Sequence, residues 1–180
     1  ELGLFLVLDE SFSEVVNRPA EWDRATEKLG PMVAVVNSFS KNFHLQGLRL
    51  AAALVPNAMR EQVIAAHQTV NGAVSSGSAW MLEQLEADGH LTPVDLGAPY
   101  RLACDRLRKM GIAFHDPGGT FYAFPKLPNA KRTRQVLEQR GLLALDGRFF
   151  GDRYADHLRF CFAKPLDELE DTLNQLEACL

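Results

Sequence analysis

Residues 37–51 read NSFSKNFHLQGLRLA, directly after the apolar run Met32-Val33-Ala34-Val35-Val36. A short continuous apolar run that ends in polar residues has the pattern of a strand buried on both faces of a parallel sheet. Leu2 to Leu8 repeats the pattern and ends in Asp9-Glu10. Both strands therefore present polar residues at their C-terminal ends, the edge at which open α/β sheets bind ligands.

Working outward, Leu48 to Val55 reads as a third strand closed by Pro56, and Ala58 to Val70 and Ser78 to Ala87 as helices with apolar residues near 3.6 spacing. Gly89 to Pro93 breaks the pattern. Beyond it the spacing predicts a helix over Leu96 to Met110, strands over Ile112 to His115 and Thr120 to Phe124 around the turn Asp116-Pro117-Gly118-Gly119, and a helix over Arg132 to Arg140. Leu142 to Leu145 and His157 to Ala163 read as two more strands, and Pro165 opens a last helix, Leu166 to Leu176. The expected fold class is α/β, with a parallel-sheet piece over residues 1–91 and a smaller α+β lobe over residues 92–180. A central strand rarely begins a domain, and this chain opens inside one. It is therefore expected to be the later part of a larger chain.

Composition narrows the function classes. The 180 residues, 47% of them hydrophobic, suffice for one sizeable core or for one domain with a smaller lobe. Nineteen basic residues against 23 acidic ones give a formal charge of −4, which argues against a general grip on nucleic acid. The basic stretch Lys131-Arg132-Thr133-Arg134 reads as the solvated face of a helix. The apolar runs are too short for a membrane span and no basic-then-apolar leader opens the chain, so a soluble, cytoplasmic protein is expected. Cys104, Cys161 and Cys179 are widely spaced in apolar contexts, as reduced packing residues would be. The histidines show no pair at metal-ligand spacing, and no metal site is expected.

The chemistry lies in the opening stretch. Ser38, Ser40, Lys41 and Arg49 bring two hydroxyls, an amine and a guanidinium to the end of one strand, with Gly47 among them. Arg49 can hold phosphate bidentately, the serines can donate hydrogen bonds, Gly47 lets backbone approach closely, and a desolvated lysine can form a Schiff base. Alone, a lysine at a strand end is commonly a solvated gatekeeper and an arginine a surface charge. Together they suit a phosphate beside an electrophilic carbonyl, and pyridoxal 5'-phosphate carries both.

Residues 38–49, SFSKNFHLQGLR, resemble the class I/II aminotransferase family of pyridoxal-phosphate enzymes of fold type I, and match its pattern S-[FL]-S-K-x-x-x-x-x-G-x-R at every fixed position. The resemblance implies that Lys41 is the catalytic lysine and that Ser38, Ser40 and Arg49 bind the cofactor. FLVLDESF, residues 5–12, is similar to the family strand ending in the aspartate that pairs with the protonated pyridine nitrogen, which gives that role to Asp9. An aspartate there keeps the ring protonated and makes it an electron sink. Phe12 departs from the pattern: it stands at the cofactor where many relatives place a tyrosine whose hydroxyl bonds the 3-oxygen. Ala51 departs too, where relatives often have glycine. PGGTFYAFPKLP, residues 117–128, and HLRFCFAKPLDELEDTLNQL, residues 157–176, resemble the family's small-domain strand and its closing strand and helix. Within the latter, Arg159 matches the arginine that takes the substrate α-carboxylate. RFFG, residues 148–151, fits the preceding loop, although Asp146-Gly147 replaces the frequent Pro-Gly.

The fold so implied is the C-terminal half of the mostly parallel large-domain sheet of a fold type I enzyme, followed by a small α+β C-terminal domain. The implied activity is transfer of an amino group between an amino acid and a 2-oxo acid through Lys41, in a homodimer. Two alternatives stay open: α-decarboxylation, since the bond that breaks is the one standing perpendicular to the ring, and an inactive truncated or regulatory relic. The resemblance spans the whole chain but only the later half of the family's length. The isolated 180 residues are expected to be inactive.

Overall fold

The computed structural model describes residues 4–15, 32–116 and 118–180. Leu2 and Gly3 of the first expected strand, and Pro117 of the expected turn, lie outside the described residues. The chain divides into two compact units, Glu1–Val94 and Asp95–Leu180.

In the first unit β1 (Leu6–Asp9) pairs in parallel with β2 (Val33–Ser38), from Leu6 opposite Val33 to Asp9 opposite Val36. β3 (Ala51–Leu54) pairs antiparallel with the other side of β2, giving the order β1-β2-β3. The sheet is thus mixed. Between β2 and β3 lie the four-residue helix α1 (Phe39–Asn42) and a 3-10 turn over Gln46–Leu48, too little for the helical crossover that a parallel return needs. The third strand is also shorter than Leu48 to Val55. Arg49 adopts φ 56°, in the left-handed region, and a strand cannot continue through it.

Helices α2 (Arg60–Asn71) and α3 (Ser76–Ala87) follow among the described residues of this unit, and neither carries a buried residue. The expectation of buried strands fails here as well. Leu6 and Val7 are 42% and 57% exposed, Leu54 is 73% exposed, and within β2 only Ala34 is buried. The run Leu4 to Leu8 has the composition of a doubly covered strand, yet the described residues supply no layer over it.

The second unit has its own core. Helix α4 (Gly97–Lys109) is followed by β4 (Tyr122–Ala123), α5 (Ala130–Gln139), β5 (Leu145–Asp146), β6 (Leu158–Cys161) and α6 (Leu166–Glu177). The strands form an antiparallel sheet in the order β4-β6-β5. Burial follows helical periodicity: Leu169, Leu173 and Leu176 on α6, Ala103 and Leu107 on α4, and Ala130 and Leu137 on α5 meet Leu127, Leu158 and Phe162 in one cluster. Each such leucine contributes on the order of 2 kcal/mol on burial. The expected strands contract for local reasons. Thr120 at φ 73° and Gly141 at φ 79° break the pleat before β4 and β5, and Ile112 to His115 keeps a single bridge, Ala113 to Lys126. All three cysteines are free, but Cys161 is exposed, because its neighbours Phe160 and Phe162 take the inward positions of that strand. Among the described residues no helix is long and apolar enough to cross a membrane.

Candidate active site

The parallel pairing of β1 and β2 determines which residues meet. Asp9 ends β1 opposite Val36, the Glu10 amide donates to the Val36 carbonyl (2.7 Å), and two residues later Ser38 ends β2. Asp9 and the Ser38–Arg49 segment therefore leave the sheet at the same, C-terminal end. Ser38 is the N-cap of α1: its backbone is extended and its Oγ accepts from the Ser40 amide at 3.3 Å. Ser40 and Lys41 follow inside α1, Ser40 half-buried and Lys41 exposed. The burial expected of a desolvated lysine is thus not seen at Lys41, which lies exposed on a helix one turn long.

Asp9 is also exposed. Hydrogen bonds from the Ser11 hydroxyl and the Ser11 amide (2.9 Å) hold its carboxyl below the ordinary carboxylate range, so it is ionised at neutral pH. Phe12 is half-buried in the turn that follows. Arg49 is exposed, and its Nη1 donates to the Gln46 carbonyl at 3.1 Å. Its left-handed backbone and that of His44, φ 55°, are uncommon for residues with a Cβ, and both fall in this one segment. A Cβ on Gly47 would meet no atom of the described residues within 4 Å, so packing of the chain on itself does not require glycine there.

What locks the segment is a residue that the sequence reading passes over. Asn42, fully buried, accepts at Oδ1 from the Glu14 amide (3.2 Å). Its Nδ2 faces the Glu10 carbonyl (3.2 Å), Ser13 Oγ (3.2 Å) and Asn37 Oδ1 (2.9 Å), while its own carbonyl accepts from the Val94 amide (2.8 Å). The turn after Asp9, the end of β2 and the helix of Lys41 are tied through one side chain. A buried carboxamide with all of its polar atoms engaged specifies geometry, since any other arrangement strands donors and acceptors away from water. Its only sequence signal is adjacency to Lys41.

Arg159 belongs to the second unit, on β6. Leu158 and Phe160 face the core, so alternation turns Arg159 away from it. Its guanidinium lies over the Tyr122 ring at 4.2 Å and over the Phe150 ring at 5.3 Å. Phe150 is held by the loop before it. The Asp146 carboxylate accepts from the Arg148 amide (2.9 Å) and from Arg148 Nη2 (2.7 Å), and the Arg148 side chain beside it, with Arg134 further off, lowers its pKa to about 2. A Cβ on Gly147 would overlap the Tyr154 carbonyl oxygen and lie 2.7 Å from that of His157. Here glycine is required by close approach.

The family described as aminotransferase class I and II matches residues 1–176. The chain belongs to that family. The class I and II aminotransferase chain is 26% identical to a probable N-acetyl-LL-diaminopimelate aminotransferase of Bacillus subtilis, over 97% of its own length and 47% of the relative's. It is 23% identical to an aspartate aminotransferase of Pyrococcus horikoshii, over 100% and 49% of the two lengths. Among solved structures, the aspartate aminotransferase of Thermotoga maritima superposes with a TM-score of 0.77 at 20% identity, covering 98% of this chain and 48% of that one. At that identity the likeness establishes the fold: the α/β architecture of one half of such an enzyme. The chain spans about half the length of the curated relatives it matches. Class I and II aminotransferases work with pyridoxal phosphate.

Proposed function

We propose that this chain carries the lysine-bearing part of a pyridoxal-phosphate-dependent aminotransferase that moves an amino group between an amino acid and a 2-oxo acid. The observation behind the reading is that Asp9 and the Ser38–Arg49 segment leave one parallel strand pair at the same end, in a chain of this family. The donor set fits the cofactor. Asp9, ionised at neutral pH, is a partner for a protonated pyridine nitrogen. Ser38, Ser40 and Arg49 offer the hydroxyl and guanidinium donors that a phosphate takes. Phe12 lines the same site without a hydroxyl for the ring oxygen.

When bound, pyridoxal phosphate supplies an electron sink for the carbanion at the substrate Cα. The residues of the chain do the rest. Lys41 Nζ would be the amine that holds the cofactor's aldehyde and, when free, the general base for the substrate Cα proton. Arg159 pairs with the α-carboxylate and so orients the substrate. The named relatives are aminotransferases, which favours amino transfer over decarboxylation and over an inactive relic. In this reading residues 1–91 are part of the cofactor-binding domain and residues 92–180 are the small domain. The working form is a cytoplasmic homodimer, and family elements outside these residues complete the pocket.

The test is to trap the lysine. The 180-residue chain is mixed with excess pyridoxal phosphate, reduced with borohydride, digested and mapped by peptide mass. A pyridoxyl group concentrated on Lys41 is expected. Even labelling of all lysines, or preference for Lys28 or Lys109, defeats the assignment.

A further inference from the structure

We infer that Tyr122 and Phe150 are positioning residues that hold the Arg159 guanidinium ready for a planar carboxylate while leaving its N–H donors unspent; the inference rests on Arg159 being the carboxylate partner proposed above. Arg159 is half-buried, and among the described residues it has no ion pair and no hydrogen bond. Other arginines of the same unit are tied to acids: Arg106 to Glu177, Arg134 to Glu138 and Arg148 to Asp146. The two rings take the place of the acid.

Sheet register explains the first ring. Tyr122 lies opposite Cys161, so Arg159 is its diagonal neighbour on β6, within reach of a long side chain. The second ring comes from the 3-10 turn Gly147–Phe150, which Asp146 caps and Gly147 fits against the Tyr154 and His157 carbonyls. Phe150 in turn packs edge-on against Phe124, 5.1 Å between centroids. Each ring therefore sits on a fixed element.

The chemical consequence concerns competition. An aspartate beside Arg159 would hold the side chain but occupy the same N–H fork that a substrate carboxylate needs. An aromatic ring attracts the cation through its quadrupole and accepts no in-plane hydrogen bond. Among the described residues the fork is left without a protein acceptor. A side chain so held also loses less rotamer freedom when the carboxylate arrives, which strengthens binding without adding a contact to the ligand.

The experiment uses the 180-residue chain with nitrogen-15-labelled arginine, following the Arg159 Nε–Hε resonance, with maleate as the carboxylate probe. In the wild type, ring currents are expected to move Hε upfield, and maleate is expected to shift it further in a saturable titration. Tyr122→Leu and Phe150→Leu should each remove part of the ring-current shift and weaken maleate binding about 2- to 30-fold, the range for a cation–π contact. Tyr122→Phe, which keeps the ring, should behave as wild type. Circular dichroism and the chemical shifts of the α6 leucines check that each variant is folded. If the leucine variants lose the upfield shift yet bind maleate as tightly as wild type, the positioning role is overturned and the carboxylate role of Arg159 stands. If maleate leaves the wild-type Arg159 signal unmoved although it is shifted upfield, the carboxylate reading fails, and this inference falls with it.

Discussion

Replacing Asn42 by alanine tests whether one buried carboxamide holds the candidate site together. The side chain is 0% exposed and engages four groups: the Glu14 amide, the Glu10 carbonyl, Ser13 Oγ and Asn37 Oδ1. Two of these keep a partner: Ser13 Oγ still accepts from Asn37 Nδ2 at 3.3 Å, and the Glu10 carbonyl still accepts from the Ser13 amide at 3.0 Å. The Glu14 amide and Asn37 Oδ1 lose the partner that Asn42 supplies. Stranding two partly buried polar groups costs about 1 kcal/mol or more each, and the small void adds to it, so the expected loss is about 2–4 kcal/mol. The chain provides a selective readout. Trp80 lies in the first unit and no tryptophan falls within Asp95–Leu180, whereas the three tyrosines, Tyr100, Tyr122 and Tyr154, lie in that second unit. Urea unfolding followed by tryptophan fluorescence therefore reports the unit that holds Asn42. With a slope of about 2 kcal/mol/M, its midpoint should fall by about 1–2 M. The transition seen in tyrosine absorbance should stay in place. An unmoved tryptophan midpoint, or an equal fall in both signals, would refute the argument.

Other predictions follow from the second unit. In a holoenzyme containing this chain, Arg159→Ala should weaken amino-acid binding by about 2–5 kcal/mol with cofactor retention unchanged, as measured by spectral titration; loss of cofactor at constant amino-acid affinity would make the residue structural. Gly147→Ala should destabilise the unit by about 3 kcal/mol through overlap with the Tyr154 carbonyl, read as a lower tyrosine-transition midpoint. Asp146, paired with Arg148, has its pKa depressed from the ordinary 3.8 to about 2, so its contribution to stability is complete above about pH 4 and is lost as the pH falls toward 2. Asp146→Asn should flatten the stability of the unit across that window, and an acid titration as steep as wild type would contradict it.

How much of this was legible in the sequence depends on what each feature rests on. The segment Ser38 to Arg49 was readable because the chemistry resides in side-chain types at fixed spacing, and the apolar runs before Asp9 and Ser38 identified a parallel pair by composition alone. The helices were readable to within two residues at each end, since apolar spacing near 3.6 is a local signal in the sequence. The direction and length of β3 were not. They turn on the left-handed backbone at Arg49, which nothing in an arginine announces. Nor was burial readable: the pattern of Leu4 to Leu8 describes a strand with layers on both faces, and burial depends on those layers as well as on the strand. Asn42 and the ring pair around Arg159 escaped for a common reason. Their partners lie far off in sequence, Glu10 to Glu14 for the first and Tyr122 and Phe150 for the second, so only the folded chain brings them together.

The two left-handed residues between β2 and β3 bear on how this chain would respond to directed evolution. A residue with a Cβ gives up roughly 1 kcal/mol in that conformation relative to glycine. A library selected only for heat resistance should accordingly accept glycine at His44 and at Arg49. At His44 the exchange would remove a side chain for which no site role is proposed. At Arg49 it would remove the one guanidinium of the Ser38–Arg49 segment, so the same selection that hardens the fold would strip that segment of its phosphate-sized cation. Thermal selection and retention of Arg49 oppose each other at a single backbone angle.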